Sequence, residues 1–288
     1  MIQERAYAKL NLSLDITARR NDGYHDMAMI MQSVSLCDEM EFEFTEDGLV
    51  RSETNLYYIP NDERNLAVKA VNCYLSRIGK TGQGVRIRIH KNIPAGAGMG
   101  GGSADAAASL RAMNRMYDHC LKKEELLEIA AEVGSDVAFC VRGGTQAAEG
   151  RGEVLRDISP IPDCYFAIIK PGFSISTPEL FKKYDSVRVH VHPDTRGILK
   201  AIENRDIRGV CRRMYNVFEE VDDRRMRTIS EIKGKLLDYG AEGSIMTGTG
   251  SAVFGIYTDA EKAKRAAKEL EKEYGFGSFA VPQRTIDI

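Results

Sequence analysis

No apolar run in the chain approaches the roughly 20 residues that a helix needs to cross a bilayer, which argues against a membrane partner. The first residues, MIQERAYAKLNL, hold no apolar signal-peptide core and enter an alternating pattern almost at once, so the expectation is a cytoplasmic protein. A surplus of one charge is also missing. The 40 Lys+Arg against 42 Asp+Glu leave a formal charge of −2, which speaks against a nucleic-acid partner. The six cysteines (Cys37, Cys73, Cys120, Cys140, Cys164 and Cys211) form no CxxC pair and read as reduced packing residues, not as a disulfide frame or a zinc site. His190 and His192 form an HxH pair on a strand-like segment without metal-ligand spacing around it, and read as surface histidines. Arg224-Arg225, beside Asp222 and Asp223, reads as a solvated helix face. Internal repeats and low-complexity tracts are absent.

What remains is a globular composition, 43% hydrophobic and 28% charged, on 288 residues, enough for one large or two modest domains. Leu10, Leu12, Leu14 and Ile16 alternate with polar residues, which predicts a strand with one buried face. Met40, Phe42 and Phe44 predict a second strand, and Val85, Ile87 and Ile89 a third. Helices are expected over 65–76, over 104–117 with one apolar stripe, and over 122–133 with Gly134 as its stop. Ser135 reads as the N-cap of a short helix beginning at Asp136. Short strands follow near 146–148 and 153–155. The segment Ile158-Ser-Pro-Ile-Pro162 is the best boundary, dividing the chain into 1–158 and 159–288. Beyond it come a strand at 164–170, helices at 194–204, 207–219 and 222–239, and strands at 243–246 and 252–257. A helix capped by Asp259 and a strand at 278–282 complete the pattern. Strands and helices mix without strict alternation, so the fold class is α+β.

One stretch carries chemistry. Residues 91–114 read KNIPAGAGMGGGSADAAASLRAMN, and five of the seven residues from Gly96 to Gly102 are glycine. A glycine-rich turn that opens a helix is an anion site, because its backbone curls closely and the N–H groups of the helix start point outward. A flexible linker is the plain alternative. GxxxxGK[ST] is absent, since no lysine follows the glycines, and GxGxxG at Gly96, Gly98 and Gly101 lacks the βαβ setting of a dinucleotide site. Ser103 adds a hydroxyl suited to a phosphate oxygen or a magnesium ion. Two further residues stand out: Lys9, with Asn11 on the same face of a strand, and Asp136 at a helix start.

PAGAGMGGGSADAA, AKLNL and the late TGTGSAVF together resemble the three motifs of the GHMP small-molecule kinases. RRNDGYH soon after AKLNL, GSDVAFCVRGGTQAAEGRGE and KPGFSISTPELF resemble the branch of that family acting on a cytidyl-linked sugar alcohol. The resemblance implies two domains, an N-terminal ATP-binding one like ribosomal protein S5 domain 2 and a ferredoxin-like C-terminal one, with the site between them. It implies ATP and Mg²⁺, and a small-molecule substrate, 4-diphosphocytidyl-2-C-methyl-D-erythritol, phosphorylated on its 2-hydroxyl in the non-mevalonate route to isoprenoid precursors. Asp136 would act on the attacking hydroxyl and Lys9 would stabilise charge. Pro94, Ala95, Gly96, Ala97, Gly98, Met99, Gly100, Gly101, Gly102 and Ser103 would cradle the phosphates, with Asn65 on the nucleotide side. Tyr24 and Phe181 would sandwich the cytosine and His25 would bond its edge, although Phe181 reads equally as core without the resemblance. Asn11 and Thr177 would touch the substrate, and Gly248 and Thr249 would lie near the phosphates. Asp105, so close to ATP, would need magnesium or solvent between them. Another GHMP kinase of homoserine or mevalonate type, or a non-catalytic nucleotide-binding module, are the alternative readings. A monomer and a homodimer are equally compatible.

Overall fold

The alternation at Leu10–Ile16 belongs to a strand much longer than it suggests, and both of its faces are covered. The computed structural model describes residues 1–187 and 189–286. In chain order the first half holds β1 (Ile2–Arg19), β2 (His25–Thr45), β3 (Val50–Thr54), α1 (Leu66–Arg77) and β4 (Gly84–His90), then α2 (Gly101–Met116), α3 (Lys123–Val133), α4 (Val137–Arg142), β5 (Thr145–Glu149) and β6 (Val154–Asp157). After the proline segment come β7 (Tyr165–Ile169), α5 (Thr177–Tyr184), α6 (Thr195–Glu203), α7 (Ile207–Cys211), β8 (Tyr215–Asn216), α8 (Met226–Asp238), β9 (Gly243–Met246), β10 (Val253–Tyr257), α9 (Ala260–Tyr274) and β11 (Gly277–Ala280).

β1 and β2 form one long antiparallel hairpin whose turn is the RRNDGYH segment. The turn closes because Gly23 takes a left-handed φ of 85° and the Asp22 carboxylate accepts the Tyr24 N–H at 3.0 Å. From Ala8 to Ile16 every residue of β1 is buried, Asn11, Ser13 and Asp15 included. The single buried face expected there is therefore corrected: α2 packs on the strand, and Thr247 closes against Asn11. The first sheet runs β3-β4-β2-β1-β8, with β5 paired to β2 and β6 to β5. A second, antiparallel sheet runs β11-β7-β10-β9, and α8 and α9 pack on it.

α2 is the centre of the first half. Ala104, Ala106, Ala107, Ala108 and Ala112 are all buried, so the helix has no solvent face from Ala104 to Asn114 in place of the single stripe expected. Small side chains let β1, α1 and α4 approach it together. The helix also starts earlier than expected, at Gly101, which puts Ser103 in its first turn.

The second half interlocks with the first. β8 pairs parallel with β1, Ser13 against Tyr215 and Leu14 against Asn216, and bridges join Val34 to Pro282 and Gly143 to Thr285. β8 replaces the end of the helix expected over 207–219. The Asn216 side chain accepts the Phe218 N–H and donates to Met246 and Gly248 carbonyls, which holds the segment extended. Three more expectations change. The segment around His190 and His192 is not a strand, and His192 Nδ1 lies 2.8 Å from the Asp15 carboxylate. Phe44, the last apolar residue of its predicted strand, is exposed and rests edge-on against Tyr117. α5 and β3 carry no clear periodicity and were not expected. Asp259, as expected, caps its helix by accepting the Glu261 and Lys262 N–H groups. No helix among the described residues is long and apolar enough to cross a membrane.

Arg225 is likewise not a solvated residue. Its guanidinium bonds the buried Asp223 carboxylate at 2.6 and 2.8 Å, Lys183 Nζ bonds the same group at 2.7 Å, and Glu179 completes the cluster at 2.9 Å. Lys183 and Glu179 belong to α5, so Asp223 pins that helix. Arg225 foremost, then Lys183, hold the Asp223 carboxyl well below the usual carboxylate range. Because the folded pKa is depressed, the stabilisation is present at neutral pH and is lost as pH falls below about 4. Asp223→Asn is expected to lose about 1.5–3 kcal/mol at pH 7, and the gap in Tm between wild type and variant to close when unfolding is followed downward from pH 5.

Candidate active site

Three segments far apart in sequence meet at one point. In the glycine loop Gly96, Gly98 and Gly100 take left-handed φ values of 63°, 75° and 68°, while the alternate residues Ala97 and Met99 are buried. The loop thus anchors through every second residue. Met99 O accepts the Lys9 N–H at 3.0 Å, and Ala97 O accepts the Ala252 N–H at 3.1 Å. The 247–250 turn lies directly on it: a Cβ at Gly98 would fall 2.2 Å from Thr247 O, and one at Gly248 2.7 Å from Gly98 O. The Thr247 hydroxyl accepts the Asn11 N–H at 3.0 Å and lies 3.3 Å from Gly98 O. The expected proximity of AKLNL, the glycine loop and TGTGS is a network of backbone contacts.

The N-cap of α2 is Gly100, with no side chain capping the helix start. The first N–H groups, at Gly101, Gly102 and Ser103, therefore lack partners from within the helix. Gly102 is exposed and its neighbours half-buried, so these donors stand at the surface where an anion can reach them.

Lys9 reaches this point from β1, its stem passing Gly100, where a Cβ would come within 3.1 Å of Lys9 Cγ. Its ammonium donates to Asn11 Oδ1 at 2.7 Å and stands 3.4 Å from Asp136 Oδ2. Lys9 is buried, whereas the Asp136 side chain keeps 28% exposure. Asp136 itself takes the N-cap position of α4, one residue beyond the cap expected at Ser135, and its side chain makes no capping bond. The carboxylate is left to face the cavity.

That cavity has a volume of about 300 Å³. Lys9, Asp136, Gly96, Gly98, Gly100, Thr177, Phe181, Gly248 and Thr249 line it, as do Met27, Met29, Arg151 and Phe218, which sequence reasoning passed over. Thr177 and Thr249 hydroxyls meet at 2.8 Å, tying the start of α5 to the 247–250 turn. Asn11 is fully buried and acts on the cavity through Lys9, Thr247 and Met29, to whose sulfur its amide donates at 3.4 Å. Pro94, Ala95, Ala97, Met99, Gly101, Gly102 and Ser103 lie outside the lining.

The aromatic sandwich is not formed in this conformation. His25 stacks on Phe181 with centroids 4.8 Å apart, Phe218 meets Phe181 edge-on at 4.9 Å, and the His25 Nε2 lies 2.7 Å from Asp185 Oδ1. Tyr24 is 57% exposed and does not join them; the Arg151 guanidinium covers its ring at 5.1 Å. Two other residues take structural places. Asn65 caps α1 through the Ala67 N–H and donates to Ser52 and Pro60. Asp105 needs no magnesium or solvent to shield it, because its carboxylate is turned inward onto Lys91 at 2.6 Å. Burial raises the Asp105 pKa despite that cation. Lys91 could have been suspected as a lysine beside the loop; its two partners could not.

This fold and this site put the chain among the small-molecule kinases called GHMP kinases, and it belongs to that family. Residues 65–144 match the GHMP kinases N terminal domain and residues 198–275 the GHMP kinases C terminal. A 4-diphosphocytidyl-2-C-methyl-D-erythritol kinase of Clostridium novyi (strain NT) is 40% identical over 270 residues, 94% of this chain and 96% of the relative. One from Bacillus velezensis (strain DSM 23117 / BGSC 10A6 / LMG 26770 / FZB42) is 41% identical over 264 residues, 92% and 91% of the two chains. A crystal structure of 4-(cytidine 5'-diphospho)-2C-methyl-D-erythritol kinase superposes with a TM-score of 0.82 at 31% identity, over 98% of this chain and 99% of that one. Within the family the chain falls with these kinases. Homoserine kinase from Cytophaga hutchinsonii, at 20% identity and a TM-score of 0.75 over 98% and 95% of the two chains, shares the fold alone.

The loop contacts make two glycines unequal. Gly98→Ala is expected to lose at least about 1–3 kcal/mol from its left-handed φ alone, before the overlap with Thr247 O is counted. Gly102→Ala, whose Cβ would meet only Leu66 Cδ1 at 3.6 Å, should keep or raise stability by up to about 1 kcal/mol. Urea unfolding of the two variants checks the contrast.

Proposed function

We propose that the chain transfers the terminal phosphoryl group of ATP to the 2-hydroxyl of 4-diphosphocytidyl-2-C-methyl-D-erythritol. The observation that carries this reading is the Lys9–Asp136 pair at 3.4 Å in a cavity with glycine backbone on one side and the Phe181 cluster on the other. Phosphoryl transfer needs positioning and charge neutralisation more than covalent help from the protein. The loop donors and the start of α2 would take the phosphates. Asp136, a weak base as a carboxylate, would orient the hydroxyl and accept its proton late, as the bond to phosphorus forms. Lys9, fixed by Asn11, would keep that carboxylate in place and offset charge on the transferred group.

No cluster of three or more His, Cys, Asp or Glu that could hold a metal occurs among the described residues. Mg²⁺ therefore enters this reading as part of the substrate MgATP, held by the phosphates, with Ser103 as the hydroxyl nearest the helix start. This suits an ion that keeps several waters and binds through phosphates plus one or two protein groups.

Arg151 adds what the glycine loop lacks on the acceptor side. It lines the cavity and now rests on Tyr24. A cytosine ring that takes its place on the exposed Tyr24 face would release the guanidinium toward the diphosphate of the same substrate. Base stacking of this kind contributes about 1–3 kcal/mol.

Mass spectrometry of the purified chain with ATP and the cytidyl substrate should show a product one phosphoryl group heavier, with no comparable turnover of homoserine or mevalonate. Asp136→Ala and Lys9→Ala should each lower kcat by about 10²–10⁴-fold. Near-wild-type turnover in Asp136→Ala would sink the mechanism. Arg151→Met should raise KM for the cytidyl substrate about 10–100-fold, the value of a hydrogen-bonded charge, while KM for ATP holds.

A further inference from the structure

Behind the glycine loop, away from the cavity lining, three charged side chains meet out of solvent. The Lys91 ammonium bonds Asp105 Oδ2 at 2.6 Å and also bonds Asp38. The side chains of Lys91, Asp38 and Asp105 are 4%, 0% and 5% exposed. Asp38, from β2, spends its other oxygen on the N–H groups of Asn92 and Ile93, at 2.6 and 2.7 Å. The Asn55 side chain brackets the Lys91 peptide, accepting its N–H at 2.8 Å and donating to its carbonyl at 3.3 Å. A Cβ at Gly101 would sit 3.5 Å from Lys91 Nζ, so the ammonium lies directly beneath the first residue of α2.

The topology of these bonds matters more than their number. Lys91 stands at the entry to the loop and Asp105 beyond its exit, in the second turn of α2. The underlying sheet contributes Asp38. A single ammonium thus ties both roots of the loop to each other and to β2. Burying an ammonium with two carboxyl groups is an expensive way to hold a fold together, and an apolar trio of similar volume does so equally well or better. Burial opposes the charged form of Lys91, but the two carboxylates outweigh it and raise its pKa. Asp105 Oδ1 is left without any partner. What an ionic knot provides and an apolar contact does not is fixed distance and direction. The loop needs that from its ends, since Gly96, Gly98 and Gly100 have no side chains with which to anchor themselves.

We infer that Lys91 is a positioning residue for the triphosphate, holding the two roots of the glycine loop at the spacing in which its N–H groups meet ATP preorganised. The inference rests on the kinase reading above. A misplacement of about 1 Å in such a cradle is enough to lose up to about 100-fold.

The test compares Lys91→Met with Lys91→Met/Asp105→Leu, reading Tm together with calorimetric Kd for a non-hydrolysable ATP analogue and for the cytidyl substrate. Lys91→Met should lower Tm and weaken the ATP analogue by about 10–100-fold, with the cytidyl Kd within about twofold of wild type. The double variant removes Asp105, the one of the two carboxylates left beside the methionine that has no backbone N–H to hold it, whereas Asp38 keeps those of Asn92 and Ile93. Its Tm should therefore recover in large part while binding of the ATP analogue stays weak. Recovery of both would make the knot a matter of fold stability alone and overturn the inference, as would equal losses for the two ligands. If neither methionine variant folds, Asp105→Asn, which keeps the shape, must show the same split between ligands at smaller amplitude, and an even loss there overturns it too. Failure of the wild-type chain itself to bind the ATP analogue would instead remove the kinase reading.

Discussion

Backbone rests on backbone where Gly98 meets the 247–250 turn, with no room for a single added carbon. The site depends on that contact. It requires glycine on both sides, and it brings into one place a strand, a loop and a turn that lie up to 236 residues apart in the chain. Thr247 then joins Asn11 to Gly98, and Asn11 in turn holds the ammonium of Lys9. The position of Lys9, the buried cation of the cavity lining, is thus set by contacts made mostly by backbone atoms, which do not change rotamer. Such preorganisation is what a reaction governed by positioning and electrostatics calls for.

Charge is distributed around this contact in a consistent way. The loop itself offers only N–H dipoles, at an uncapped helix start. Full charges come from outside it and are each held by partners. Lys9 has Asn11 and Asp136, Arg151 has Tyr24, and Lys91 has two carboxylates. The helix α5 brings Thr177 and Phe181 into the cavity and is itself pinned through Asp223. The stacking of His25 on Phe181 and of Arg151 on Tyr24 occupies the faces that a pyrimidine would use. On the proposed reading, a pyrimidine would exchange one set of stacked partners for another and would not fill an empty slot.

Much of the fold was legible because hydrophobic period and capping chemistry are local. Val85, Ile87 and Ile89 gave a strand, and Asp259 marked its helix, since each signal acts within a few residues. Other elements were hidden for equally physical reasons. Residues 215–216 follow a helical stretch and were read as its continuation; only β1 and the Asn216 bonds to Met246 and Gly248 draw them into a strand. The polar residues of β1 promised a solvated face, yet Asn11 and Ser13 are buried, because neighbours unknown to the local pattern cover them. The register breaks in the β1–β2 hairpin, between Tyr7 and Lys9 and between Asn11 and Ser13, bracket the residues that matter most and have no signature in composition.

By itself the sequence marked an anion-binding loop, and its motifs in family order implied the kind of chemistry. Alternating small residues around Gly96–Gly102 can only curl, a lysine absent from that loop must be supplied elsewhere, and Lys9 and Asp136 were identifiable candidates because both stand in recognisable local frames. Tertiary structure alone decided what each polar group faces. Asp105 and Asp136 are both aspartates at helix beginnings, yet one is turned inward onto Lys91 and the other toward the cavity beside Lys9. Phe181 and Tyr24 are both aromatic and only one reaches the lining. Arg225 read as a solvated residue and Arg151 was passed over until Asp223 and Tyr24 were placed beside them. The reason is that a side chain's residue type is a property of the chain, whereas its solvation and partners are properties of contacts between segments that the folded chain brings together.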